Sequence, residues 1–183
     1  ADVLFGDVNP SGKLTTSFPV NMGQIPVYHS MLNTGRPDPG NRPKFRSNYL
    51  DAPNEPLLPC GYGLSYTTFE YSKPVLSTTK LARGKSITVS VQVKNTGKMA
   101  GSEVVQMYIR DLVGSISRPV KELKGFEKIF LAPGESREVV FTIDGALLKF
   151  YNENLEFKAE SGAFNVMVGT NSNDLQTLTF TLE

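Results

Sequence analysis

From Phe69 onward, apolar and polar residues alternate with a period of two, most cleanly in Ile87-Thr88-Val89-Ser90-Val91-Gln92-Val93 and in Val139-Val140-Phe141-Thr142-Ile143. Only an extended backbone gathers such residues on one face, so these runs predict strands with one buried and one solvated side. Further strands are expected at Tyr71 to Leu76, Glu103 to Ile109, Leu123 to Leu131, Leu155 to Ala159, Phe164 to Val168 and Leu178 to Leu182. Turn-forming groups separate them, namely Lys94-Asn95-Thr96-Gly97, Ala132-Pro133-Gly134-Glu135 and Glu160-Ser161-Gly162. About seven or more short strands spaced this way predict an immunoglobulin-like or fibronectin-type β-sandwich. The chain holds one Cys and no Trp, so it lacks the core pair of an antibody-type domain.

Residues 1–68 follow a different grammar. Pro, Gly and Asn recur, with turn signals at Asn9-Pro10-Ser11-Gly12, Thr34-Gly35-Arg36-Pro37-Asp38-Pro39-Gly40 and Ala52-Pro53-Asn54-Glu55-Pro56. Short apolar pieces survive between them, such as Leu14 to Phe18 and Ile25 to Tyr28, but they are too few to offset the entropy of ordering the segment. It is therefore expected to pack on something else. The opening Ala1-Asp2-Val3-Leu4-Phe5-Gly6-Asp7 reads as the end of a helix running into a turn, as though cut from a longer chain.

Charge and composition narrow the function classes. With 19 basic and 18 acidic side chains, the net charge of +1 offers no field to steer a phosphate backbone, so nucleic acid is not an expected partner. No stretch approaches the roughly 20 apolar residues of a membrane helix. Cys60 is the only cysteine and is expected to pack as a small hydrophobe. His29, the sole histidine, has no Cys or clustered carboxylates beside it in sequence, so no metal site and no cofactor are expected.

Three sets of phrases line up in order along the chain. They are Asp2-Val3-Leu4-Phe5-Gly6-Asp7, Asn9-Pro10-Ser11-Gly12-Lys13-Leu14 and Ser17-Phe18-Pro19; then Gly23-Gln24-Ile25-Pro26-Val27-Tyr28 and Pro59-Cys60-Gly61-Tyr62-Gly63-Leu64-Ser65-Tyr66-Thr67-Thr68-Phe69; then Gly101 to Tyr108 and Arg118 to Lys128. Together they resemble the C-terminal part of family-three glycoside hydrolases of β-glucosidase type. The resemblance implies a division into residues 1–68, the irregular C-terminal tail of an α/β sandwich domain with its linker, and residues 69–183, a fibronectin-III-like β-sandwich. Family members commonly carry Phe where Cys60 stands.

The same resemblance implies that the catalytic machinery lies elsewhere. A retaining glycosidase needs an attacking carboxylate and a proton-donating carboxyl about 5–5.5 Å apart. In the family the nucleophile is an Asp followed by Trp on a (β/α) barrel, and this chain has no Trp. The family's Lys-His pair is absent too, since His29 follows Tyr28, and the acid/base Glu is expected upstream. Acid pairs such as Glu153 with Glu156, or Asp38 with Asp51, are expected to be solvated surface groups. No catalytic residue is assigned.

Arg46, Tyr49 and Asp51 are candidates for the rim of the substrate cleft, because relatives place an Arg-Tyr pair two residues before an Asp in a loop approaching it. Asn48 stands where that Arg is found. Phe150, Tyr151 and Phe157 are expected in core or interdomain packing, with a carbohydrate platform as the competing role.

The expected role is that of a non-catalytic brace for domains hydrolysing β-glucosides or short oligosaccharides, in a periplasmic or secreted enzyme. The expected partners are the N-terminal barrel and α/β domains, in the same or a companion chain, and a β-linked glucoside through the full enzyme; homodimerisation is compatible with this. The rival is a free-standing immunoglobulin-like module that binds carbohydrate or protein. Under the first reading, an exposed apolar patch is expected around Leu4, Phe5, Leu14 and Phe18.

Overall fold

The computed structural model describes residues 1–38 and 44–183. The turn expected at Thr34 to Gly40 therefore lies partly outside the described residues, at Pro39 and Gly40.

The alternation from Phe69 onward folds as two stacked sheets. In the first, β4 (Ser86–Asn95) is flanked on one edge by β1 (Phe69–Tyr71) and β2 (Val75–Leu76), and on the other by β7 (Ser136–Asp144). The second sheet runs in the order β3 (Lys80–Leu81), β11 (Asp174–Leu182), β10 (Gly162–Asn171), β5 (Gly101–Asp111), β6 (Glu122–Leu131). Its pairings are antiparallel except β3 with β11, which is parallel. A small ladder joins β8 (Phe150–Tyr151) to β9 (Phe157–Lys158).

The period of two decides what fills the space between the sheets. Along β4 the inward residues are Ile87, Val89, Val91 and Val93, which meet Ile109 and Val105 of β5, Val139, Phe141 and Ile143 of β7, and Phe164, Val166 and Val168 of β10 in one core. Phe164 and Phe180 stack there with ring centroids 5.5 Å apart. The strand expected over Tyr71 to Leu76 is split into β1 and β2 around Pro74, which has no N–H to give a ladder. Of the stretch Leu155 to Ala159, only Phe157–Lys158 pairs as a strand.

Asn95 continues the inward phase of β4, although its neighbours Thr96 and Gly97 mark it as a turn residue. It is fully buried, and every polar atom of its amide is used. Its Oδ1 accepts from Thr67 Oγ1 at 2.6 Å and from Gly97 N at 3.1 Å, while Nδ2 donates to Met99 O at 2.8 Å and Leu131 O at 3.0 Å. Buried amides persist only when satisfied in this way. Gly97 follows from the same contact, since a Cβ there would lie 2.2 Å from Thr67 Oγ1.

Among its described residues, the segment before Phe69 has little regular structure. It begins with α1 (Asp2–Phe5), stopped by Gly6 at φ 86°, so the short helix and turn at the opening are as expected. A single 3-10 turn covers Met22–Gln24. Backbone bonds tie Leu14 to Tyr62 and Gly61, and Phe18 to Leu58, so the apolar piece Leu14 to Phe18 runs beside Leu58 to Tyr62.

Candidate functional site

Polar contacts tie described residues of the 1–68 segment to the sandwich, three of them centred on Glu103, Gln106 and Asn9. The first is an ion pair with limited access to water. Lys13 Nζ sits 3.1 Å from Glu103 Oε2 of β5, with side chains 15% and 4% exposed, and Tyr71 Oη donates to Glu103 Oε1 at 3.0 Å. Burial and the adjacent carboxylate push the Tyr71 hydroxyl far above its usual range, so it stays a donor.

The second contact is centred on Gln106, whose buried amide donates from Nε2 to Gly61 O at 3.2 Å and Thr170 O at 2.7 Å while Oε1 accepts from Tyr108 Oη at 2.7 Å. Gly61 has φ +82°, a region that glycine enters without strain. The third is Asn9, which donates to Ala100 O at 3.0 Å and accepts from Ser65 Oγ at 2.9 Å and Tyr66 N at 2.8 Å.

Cys60 is buried beside Gln106's cluster, its carbonyl accepting from Ser172 N at 2.9 Å, and burial pushes its thiol up. It packs as the small hydrophobe expected. His29 meets the fully buried Tyr108 edge-on, with centroids 5.6 Å apart and rings at 78°. Burial first, and the Lys121 ammonium second, push the imidazole below its ordinary 6.5. The unfolded chain therefore binds the His29 proton more readily than the folded one, so stability is full above about pH 6.5 and falls as pH drops below it. Urea midpoints between pH 7 and 5 should decline less in His29→Gln than in the parent chain. Equal declines would contradict the role given to His29.

The carboxylates are spread over separate local contacts. Glu122 pairs with Arg118 at 2.8 Å, Glu156 bonds Lys158 and Asn152, Glu160 takes Ser115 N and Oγ, and Asp174 accepts from Thr170 at 2.7 Å. Among the described residues no group of three or more His, Cys, Asp or Glu is gathered as a metal site.

Arg46, Tyr49 and Asp51 share one exposed turn. Its backbone is tied at Ser47, whose N–H donates to Arg36 O at 2.9 Å. Tyr49 N–H donates to Asn54 Oδ1 at 3.2 Å, and Tyr49 Oη donates to Gln24 O at 3.1 Å. Phe150 is buried under the Arg118 guanidinium at 4.1 Å, as core packing requires. Tyr151 and Phe157 are exposed, with ring centroids 4.9 Å apart.

Sequence reasoning passes over the buried amides, Gln24 above all, because a polar letter gives no sign of burial. The outer side of residues 1–68 has the opposite character. Leu4 is 86%, Phe5 83%, Met22 87% and Leu50 96% exposed, with Ile25, Phe45, Leu57 and Leu64 also uncovered. Of the patch expected, Leu4, Phe5 and Phe18 are exposed, whereas Leu14 is half-buried. No helix among the described residues is long and apolar enough to cross a membrane.

Comparison with known proteins bears on both halves. Residues 1–66 match the glycosyl hydrolase family 3 C-terminal domain, and residues 103–172 match the fibronectin type III-like domain. The periplasmic beta-glucosidase of Salmonella typhimurium is 57% identical over 94% of this chain and 23% of its own length. A putative beta-xylosidase of Formosa agariphila is 46% identical over 100% of this chain and 23% of its own. The crystal structure of a beta-glucosidase from Listeria innocua in complex with glucose superposes with a TM-score of 0.94 at 48% identity, covering 100% of this chain and 25% of that one. The chain thus spans about a quarter of the length of the relatives it matches. With both domain families matched in order and its whole length aligned to such enzymes, the chain belongs to glycoside hydrolase family 3 and is the C-terminal part of one of its members.

Proposed function

We propose that this segment is a non-catalytic brace for a β-glucosidase-type retaining enzyme that hydrolyses β-glucosides or short oligosaccharides. The observation that carries this is the asymmetry of the molecule. The sandwich encloses a continuous core of its own, while residues 1–68 turn Leu4, Phe5, Met22 and Leu50 outward. Burying a large aliphatic or aromatic side chain stabilises by about 1.5–3 kcal/mol, so such a surface favours a covering partner. The barrel and α/β domains of the same enzyme, in the same or a companion chain, are that partner. Residues 1–68 are then the tail of the α/β domain and residues 69–183 the bracing domain.

The Arg46, Tyr49 and Asp51 turn then stands at the rim of the substrate cleft, with Tyr49 offering a ring to a sugar face. A periplasmic or secreted location agrees with the name of the Salmonella relative. Homodimerisation is compatible with the proposal and is read out by sedimentation of the full enzyme. The proposal is tested by ending the full-length enzyme at residue 68. The shortened enzyme should melt earlier and inactivate faster, while turnover of an aryl β-glucoside per titrated active site is kept. Unchanged stability, or lost turnover per titrated site, would overturn the bracing role.

A further inference from the structure

Gln24 is fully buried, at the end of a single 3-10 turn. A glutamine amide offers one acceptor oxygen and two N–H donors, and here all three are committed to backbone groups. Oε1 accepts from Val20 N at 2.7 Å, and Nε2 donates to Pro53 O at 2.9 Å and to Glu55 O at 2.8 Å. The amide thus fixes the backbone on both sides of Asn54. Asn54 in turn grips the exposed turn at two points, accepting from Tyr49 N at 3.2 Å and donating to Ser47 O at 3.0 Å. The backbone carbonyl of Gln24 closes the circuit by accepting from Tyr49 Oη at 3.1 Å. No regular strand or helix shapes residues 46–51, so these bonds set where the Tyr49 ring lies.

We propose that Gln24 is the positioning residue of the Arg46–Asp51 turn, holding Tyr49 at the angle at which it meets substrate while touching no substrate itself. This rests on the cleft-rim placement of that turn. Gln24→Glu keeps the shape but turns both donors into acceptors facing the carbonyls of Pro53 and Glu55, so the circuit opens. Asn54→Ala cuts the same circuit one step outward, at hydrogen bonds exposed to water, and should cost less stability than a change at the buried Gln24.

The test uses the full-length enzyme with cellobiose as the probe. Tyr49→Ala, Gln24→Glu and Asn54→Ala should each raise KM by roughly 5- to 10-fold with kcat within about twofold, the pattern of lost binding common to ground and transition states. Because Gln24 acts through Tyr49, the double variant Gln24→Glu with Tyr49→Ala should be no worse in KM than Tyr49→Ala alone. A purely structural role would instead change the amount of folded enzyme and leave KM alone. If Tyr49→Ala raises KM while Gln24→Glu and Asn54→Ala do not, the positioning role is overturned and the rim placement stands. If Tyr49→Ala leaves KM unchanged, the rim placement fails, and the positioning role fails with it. Should Gln24→Glu not fold, Asn54→Ala decides alone.

Discussion

Replacing Lys13 by methionine should cost about 3–5 kcal/mol of folding stability, the range for removing one partner of a buried ion pair. Glu103 is the less accessible member at 4% exposure, so without Lys13 it keeps only the Tyr71 hydroxyl against the cost of a desolvated charge. Removing the charge from the other side should be milder. Glu103→Gln retains an acceptor for Tyr71, and the freed ammonium, already 15% exposed, extends toward water along its flexible stem. The double variant Lys13→Met with Glu103→Gln buries no charge and should recover most of the loss. Chemical denaturation of the four proteins, followed by circular dichroism, checks the order. If Lys13→Met costs no more than about 1 kcal/mol, the pair behaves like an exposed surface bridge and does not lock the two regions together.

Gly61→Ala should be nearly as damaging, at about 3 kcal/mol, and for two separable reasons. At φ +82° a side chain costs about 1–2 kcal/mol. The added Cβ would also lie 2.1 Å from Gln106 Oε1, and Gln106 cannot swing aside without breaking its buried bonds to Gly61, Thr170 and Tyr108. An unsatisfied buried polar group costs a further 1–3 kcal/mol or so. Gly134 supplies the control. It has φ +77° with nothing within 4 Å of the place a Cβ would take, so Gly134→Ala should show the backbone cost alone. Equal losses at the two positions would mean that the Gln106 contact contributes nothing.

These two sites show where sequence reasoning reaches and where it stops. The sandwich is legible because alternation in Ile87 to Val93 and Val139 to Ile143 directly encodes a buried face, and strands form there. Boundaries are less legible. The inward positions turn polar at Thr170 of β10 and at Gln176 of β11, so the pattern marks these strands shorter than ladder pairing makes them. Pro74 marks a break within the first expected strand, but only the pairing of both halves with the same edge of β4 shows that they are one interrupted strand.

The connections between the regions are hidden for another reason. Gln24, Asn95 and Gln106 are buried amides whose partners include Glu55, Leu131 and Gly61, lying 31, 36 and 45 residues away. A polar letter at an inward position looks like a turn or a surface until those partners are in place. Tyr49, by contrast, stands out by likeness to relatives. The structure adds what likeness does not supply, namely the bonds to Asn54 and Gln24 that fix it. The exposed Leu4 and Phe5 are legible from shortage, since residues 1–68 contain too few apolar side chains to cover one another.

A segment that holds an enzyme together without performing its chemistry should be inert by itself. The most direct measurement is hydrolysis of a chromogenic β-glucoside by the 183-residue chain, with the full-length enzyme assayed beside it at equal molar concentration. Release by the segment should be no faster than in buffer, with turnover only in the full-length enzyme. Release by the segment at a rate comparable to the full enzyme's would contradict the bracing role.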